Sequence, residues 1–329
     1  MPVPKEFGGS GRDLMTSLLG MEAIGYGSDD NGLVLGLNAH MWTVALPLVS
    51  FASDEIKKRV LPGMSDGSLI GAHALTEDTA GSDAFAMKTH AKPVKGGYKL
   101  NGTKSLVTLG PVADLFFVFA TTRPDRGMWG VTALLVESDR EGITVGEPIG
   151  KMGMRSVPLS RVTFQDCFVP ESNRVGPEGA GGRILTKVLE WDHTFLLGSH
   201  VGAIERVLEN TIAFAKDRSQ FGQPISKFQS VSHRIADIKV RLETARWVVY
   251  RAAWLLDQGE SAALESAIAK LVVSESFLEA TIDSVRTYGG RGYLTEYGVE
   301  QQIRDAVGGL LYAGTSDIQR NLVARLMGL

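Results

Sequence analysis

Cysteine is almost absent from this 329-residue chain: Cys167 stands alone, so no internal disulfide can form. No Cys/His cluster at metal-ligand spacing occurs either, which argues against a structural zinc site or any other metal. Neither sign of charge dominates. Thirty-four Lys and Arg against 37 Asp and Glu leave a net charge of −3, too weak a field to draw a nucleic-acid backbone or an anionic membrane. The longest apolar runs are broken by Gly, Pro or charge before the ~20 residues that span a bilayer. MPVPKEFGGSG has neither the basic-then-apolar pattern of a secretory leader nor an Arg-rich amphipathic stretch. Fixed-period repeats and low-complexity tracts are missing too. These absences predict a soluble, cytoplasmic protein with no nucleic-acid and no membrane partner. What is present, 44% apolar and 22% charged residues, is globular composition sufficient for two or three packed units.

The hydrophobic pattern changes character twice. Residues 1–70 read as helices joined by short loops, with Ser53, Asp54 and Glu55 as the N-terminal signal of a helix ending at Pro62-Gly63. From about residue 71 to 175 the apolar residues alternate or cluster in short runs (AHALT, YKLNG, DLFFVFAT, GVTALLVE, SRVTFQDC). Turn signals at Lys95-Gly96-Gly97, Asn101-Gly102 and Pro124-Asp125-Arg126-Gly127 separate them, so this stretch is expected to be a β sandwich or barrel. After the linker Gly176–Gly182, residues 176–329 carry apolar residues at three and four spacing. Four long helices are expected near 183–217, 226–258, 261–288 and 296–327, forming a bundle.

Within this helix, strand, helix order lie LTEDTAGSD (Leu75–Asp83), KMGMRSVPLSRVTFQDCFVP (Lys151–Pro170), DRSQFGQPISKFQ (Asp217–Gln229), YGGRGYLTEY (Tyr288–Tyr297) and RDAVGGLLYAGTSDIQR (Arg304–Arg320). Each alone is weak; Gly289-Gly290-Arg291-Gly292, for example, lacks the strand-then-helix context of a dinucleotide fingerprint. Together, in order and spacing, they closely resemble the acyl-CoA dehydrogenase family over nearly the whole chain. The resemblance implies an α+β fold with N-terminal helices, a central β-barrel and a C-terminal four-helix bundle. It also implies bound FAD, with the β domain covering one side of the flavin and the bundle the other. VPKEFGGSG matches a segment that in the family follows the opening helices, so the N-terminal helical part is expected to be shortened.

The resemblance carries residue roles. Leu75 and Thr76 match contacts to the flavin ring edge, where N5 must accept hydride, although TEDTAGSD taken alone reads more readily as a polar loop capping a helix. Ser82 matches a position near the thioester-bearing tail of the substrate. In KSLVTL, Thr108 keeps the hydroxyl that faces the flavin, whereas Leu106 replaces the usual aromatic shield and cannot stack. Arg218, Gln220, Phe221 and Gln229 match positions binding the pyrophosphate and adenine of a flavin held mainly by a neighbouring subunit, and an arginine suits phosphate. Arg286, Gly289 and Gly290 match a helix end against the same pyrophosphate. One flavin built from two chains implies a homo-oligomer, dimer or tetramer.

The pattern breaks at the base. Most family members carry a glutamate in Y-E-G-T, which removes the substrate's α-proton; here the motif is Tyr312-Ala313-Gly314-Thr315. Alanine cannot take a proton, but the Ala313 N–H can still donate to the thioester carbonyl, and Thr315 and Asp317 match flavin-contacting positions. Some members place the base on the first bundle helix instead, which falls here on Asp192. On a helix Asp192 shares a face with Leu189, Phe195, Leu196 and Ser199, and burial would raise its pKa toward that of a useful base. It stands as the candidate base, against a carboxylate satisfied by a neighbouring Arg or His and against an exposed one; Glu190 is the weaker candidate. His193, where the family commonly has Arg, is a substrate-side candidate.

These expectations describe FAD-dependent dehydrogenation of an acyl thioester, carried by coenzyme A or an acyl carrier protein, with the double bond possible at a shifted carbon. Electrons leave through an electron-transferring flavoprotein. The rivals are a flavin monooxygenase of the same fold and an inactive structural homologue.

Overall fold

The computed structural model describes residues 2–329. Helices come first: α1 (Leu14–Gly27), α2 (Asn31–His40), α3 (Leu46–Phe51) and α4 (Asp54–Asp66). A π-helical turn, Met41–Ala45, joins α2 to α3. The resulting helical path, Asn31–Phe51, is 21 residues long and, by length and composition, apolar enough to cross a membrane. That corrects the expectation that no apolar run reaches such a length. Trp42, Val44 and Leu48 on this path are fully buried, as in a core helix. Ser53 caps α4 as expected, its hydroxyl accepting from the Ile56 N–H. The helix does not stop at Pro62-Gly63, however; it runs through Pro62 to Asp66 and ends on Gly67 in the left-handed conformation.

Ten short strands follow or are interspersed: β1 (Gly71–Ala74), β2 (His90–Val94), β3 (Gly97–Thr108), β4 (Leu115–Thr121), β5 (Val131–Glu137), β6 (Ile143–Val145), β7 (Leu159–Pro170), β8 (Arg174–Val175), and a small hairpin of β9 (Ser219–Gln220) and β10 (Gln223–Pro224). The first eight form one sheet in the order β6-β7-β3-β2-β4-β5-β8, with β1 paired to β4 in parallel. LFFVFAT supplies β4, every residue of which is buried; an uninterrupted apolar run is what a strand covered on both faces needs. Lys95-Gly96 turns the β2-β3 hairpin as expected. Asn101-Gly102 is not a turn: it lies inside β3, where a register shift against β7 accommodates Gly102 at φ 138°. Asparagine and glycine signal a bulge as readily as a hairpin.

The remaining helices are α5 (Gly181–Asp217), α6 (Gln229–Asp257), α7 (Ala263–Tyr288), α8 (Val299–Gly309) and α9 (Ser316–Leu326). The fourth long helix expected near 296–327 is therefore two helices, broken at Leu310–Thr315. Along α5 every residue from Trp191 to His200 is buried, including Asp192, His193, Thr194, Ser199 and His200.

Compactness divides the chain into two units. One holds the segment up to Asp13, Leu35–Gly150 and Ser156–Asp192; the other holds Leu14–Val34, Lys151–Arg155 and His193–Leu329. The first has two apolar cores, one of α4 with Phe117, Phe119 and Leu185, the other of Phe116, Phe164, Leu134 and Cys167. In the second, Asp305 on α8 accepts from Met154 N at 2.5 Å and Asn31 Nδ2 at 3.0 Å, which fastens KMGMR to the RDAVGG segment.

Candidate active site

In the first unit, Leu75 and Thr76 follow β1 as a half-buried loop tied to β3. Lys104 Nζ donates to Leu75 O at 2.8 Å, and Ser105 N donates to Thr76 O at 2.7 Å. A trans peptide points its N–H opposite to its carbonyl. With Leu75 O turned onto Lys104, the Thr76 N–H is therefore turned away from it. Lys104 also meets Glu77 Oε1 at 2.9 Å, and Glu77 accepts from the backbone N–H groups of Lys88 and Thr89. Burial, partly offset by Glu77, holds the Lys104 ammonium down at about 8. For Glu77, burial pushes upward but is outweighed by the bonds from Thr89, Lys104 and Lys88, so its pKa is lowered. Sequence reasoning missed this pair. The signal was there: Lys104 falls in phase with the inward-facing Tyr98 and Leu100 of β3.

Leu106, two residues on, has φ 54° and is 57% exposed. It stands at the second register shift between β3 and β7, between Lys104 and Val107. A leucine held in the left-handed region is costly, and this one sits where the family places its aromatic shield. Thr108 closes β3 opposite Leu159 and is half-buried. Ser82 lies in an exposed bend after the Glu77–Ala80 bridge.

In the second unit the break between α8 and α9 places Tyr312-Ala313-Gly314-Thr315 in a tight turn. Ala313 has φ 53° and Gly314 φ 85°. His193 Nε2 lies 2.6 Å from Ala313 O and Gln319 Nε2 3.3 Å from the same atom. His200 Nε2 meets the Tyr312 hydroxyl at 2.9 Å, and Lys270 Nζ donates to Gly309 O at 2.6 Å. Three buried side chains, His193, His200 and Gln319, thus grip the six-residue break, and Lys270 holds the last residue of α8 before it. Among the described residues no group of His, Cys, Asp and Glu could hold a metal ion. Burial, helped by the Lys270 charge, takes His193 down to about 4 and His200 to about 3. Thr315 caps α9, accepting from Ile318 N at 3.3 Å, whereas Asp317 is exposed and pairs with Arg320 at 3.5 Å. Asp192 is 8% exposed, which removes the exposed reading.

Arg218, Gln220, Phe221 and Gln229 share one projecting arm. The β9-β10 hairpin turns on Phe221 at φ 50° and Gly222 at φ 77°, and the Phe221 ring is 94% exposed. Where the arm leaves α5, Phe214 stacks on Tyr288 with centroids 3.9 Å apart, which brings the arm's base to the end of α7 that carries Arg286, Gly289 and Gly290. That end is the C-terminus of α7, so its dipole does not favour an anion. Attraction there rests on Arg286, which is exposed and 3.5 Å from Asp283, and on open backbone, since nothing lies within 4 Å of a Cβ placed on Gly289 or Gly290.

Within the first unit, the Leu75-Thr76 loop stitched down by buried Lys104 fits a flavin ring edge, which needs donors; within the second, the exposed arginine-bearing arm and the bare Gly289-Gly290 backbone fit a diphosphate, which needs cations and close amides. Each fits the part of a flavin that a flavoprotein dehydrogenase must hold. The chain belongs to the acyl-CoA dehydrogenase family: its N-terminal domain profile matches residues 1–68, its middle domain 72–167 and its C-terminal domain 179–328. It is an FAD-dependent oxidoreductase that dehydrogenates an acyl thioester.

Among curated relatives, an L-prolyl-[peptidyl-carrier protein] dehydrogenase of Pseudomonas fluorescens is 43% identical over 330 residues, covering 100% of this chain and 87% of that protein. Among solved structures, PigA with FAD and proline superposes with a TM-score of 0.98 at 42% identity, covering 100% of this chain and 86% of that one. The prolyl acyl carrier protein oxidase AnaB gives 0.98 at 40% identity, covering 100% and 87%.

Proposed function

We propose that this chain oxidises an L-prolyl group held as a thioester on a peptidyl-carrier protein, with Asp192 as the base. The observation that carries the reading is the end-to-end identity of 43% with the Pseudomonas dehydrogenase. A methyl group at Ala313 and a buried carboxylate on α5 support the same reading, because a base is needed and the usual position has none.

The division of labour follows from residue chemistry. Asp192 takes the proton from the carbon next to the thioester carbonyl. The Ala313 N–H donates to that carbonyl as charge builds on its oxygen. Bound FAD supplies the two-electron acceptor for the hydride from the adjacent carbon. Leu75, Thr76, Leu106, Thr108, Thr315 and Asp317 would hold the ring side of the cofactor, and Ser82 would meet the substrate's carrier arm. Arg218, Gln220, Phe221, Gln229, Arg286, Gly289 and Gly290 hold its diphosphate and adenosine, presented to the cofactor of a second copy in a homodimer or homotetramer. The setting is cytoplasmic, and electrons pass on to an electron-transferring flavoprotein. A second acceptor, dioxygen, is favoured by one observation: the related AnaB is described as an oxidase.

Anaerobic mixing with L-prolyl-carrier protein tests the reading. It expects flavin bleaching in the wild type and a rate lowered roughly 10²–10⁴-fold in Asp192→Asn, the span of a general base. Equal bleaching rates would remove Asp192 from the role. Bleaching by fatty acyl-CoA but not by the prolyl thioester would remove the substrate. Stoichiometric hydrogen peroxide on reoxidation in air, at rates near turnover, would identify dioxygen as the acceptor.

A further inference from the structure

The Ala313 carbonyl receives two side-chain donors, and it belongs to the residue that stands where most of the family carries its base. A carbonyl oxygen only accepts, so at 2.6 Å the His193 ring must carry its proton on Nε2. The Gln319 amide nitrogen, 3.3 Å from the same oxygen, is a donor as well. The two nitrogens lie 3.5 Å apart, both turned to one acceptor rather than bonded to each other. Both side chains are buried. Their heads close over Gly314, where a Cβ would stand 2.8 Å from Gln319 Nε2. Tyr312, on the other side of Ala313, is pinned through its hydroxyl by His200. The residue between is therefore fixed at both ends in a conformation, φ 53°, that alanine does not choose by itself.

We propose that His193 and Gln319 are positioning residues: by sharing the Ala313 carbonyl they hold the turn in its left-handed form and so aim the Ala313 N–H. The aiming role rests on the proposed function above; the shared-acceptor clamp does not. His193 then acts on the reaction through the backbone, in place of the direct contact with substrate that the sequence suggests. A neutral ring with its proton on Nε2 serves this task, since one donor is what the Ala313 carbonyl takes from it.

The test uses the FAD-loaded enzyme and four variants, His193→Ala, His193→Asn, His193→Gln and Gln319→Leu, with the double variant His193→Ala/Gln319→Leu. Glutamine carries an amide nitrogen at about the reach of Nε2, whereas asparagine carries one near the reach of Nδ1. The expected result is a kcat lowered roughly ten- to a hundredfold in His193→Ala and His193→Asn, within the range that a misplaced catalytic group costs. KM should move by less than about threefold, FAD content should stay at the wild-type level, and His193→Gln should recover most of the kcat. Because two donors share one acceptor, the double variant is expected to lose less than the product of the single losses. Equal rates in wild type and His193→Ala, equal rates in the Asn and Gln variants, or strictly multiplicative losses would each overturn the inference.

If His193→Ala fails to fold, Gln319→Leu and His193→Gln carry the comparison. A readout independent of turnover is ¹⁵N-histidine NMR of the same protein, where His193 should show the Nε2–H tautomer and keep it to pH 5. A Nδ1–H tautomer at His193 overturns the clamp. An Nε2–H tautomer with no bleaching by any acyl thioester would instead overturn the proposed function and leave the clamp standing.

Discussion

Lys104 and Glu77 form an ion pair at 2.9 Å in which the lysine side chain is wholly shielded from solvent and the glutamate nearly so. Lys104 spends a second bond on Leu75 O, so the pair ties the flavin-matched loop to β3. Removing one member of a buried pair strands the other charge. Lys104→Met is expected to lower stability by about 3–5 kcal/mol and to weaken FAD retention. Urea unfolding of the FAD-free protein checks the first effect and flavin absorbance after dialysis the second. A loss under about 1 kcal/mol would mean that water reaches Glu77.

The histidines give a pH dependence with a definite sign. His193 and His200, held at about 4 and about 3, regain the ordinary value near 6.5 on unfolding. Between those values the unfolded chain binds more protons, so stability rises with pH. Their contribution is complete above about pH 6.5 and is lost as pH falls toward 4. Each histidine adds a slope of about 1.4 kcal/mol per pH unit near pH 5. Denaturation midpoints from pH 7 to 5 should fall accordingly. His200→Phe, which keeps an aromatic ring beside Phe277, should flatten the slope by one histidine's share. A slope unchanged in that variant would place the proton uptake elsewhere.

Gly314 lies at φ 85° with Gln319 Nε2 where its Cβ would go. Gly314→Ala should cost about 1–2 kcal/mol for the left-handed conformation, and it should push the amide off Ala313 O. Its kcat is expected to fall further than that of Ser53→Ala, which loses only the α4 cap. The reverse order would detach the turn's geometry from the chemistry.

Phe221, almost entirely exposed at the tip of its hairpin, adds little to the fold of one chain. Phe221→Ser should change the unfolding free energy of the FAD-free protein by no more than about 0.5 kcal/mol. If the arm serves a second copy's cofactor, FAD affinity should drop roughly tenfold, about 1.4 kcal/mol. Affinity equal to wild type would leave the arm without that role.

The order of helices, sheet and helices was readable because periodicity reports burial, and the inward setting of Asp192 was readable because its neighbours at three and four spacing are apolar. What was not readable depended on contacts distant in sequence. Leu310 and Leu311 continue the apolar pattern of α8 past Gly308-Gly309, and the contacts from His193 and Lys270 that hold the break come from helices distant in sequence. Pro62 ends most helices, yet α4 continues past it to Asp66. Lys104 is in phase with the inward residues of β3, but its partner Glu77, 27 residues earlier, is set beside it only by the fold.

The stretch Trp191–His200, buried residue after residue, has no outward side, and half of it is polar. Evolution therefore has few neutral steps there: a change of volume disturbs packing, and a change of polarity strands a partner. Attempts to broaden the range of acyl groups accepted should leave this decapeptide as inherited.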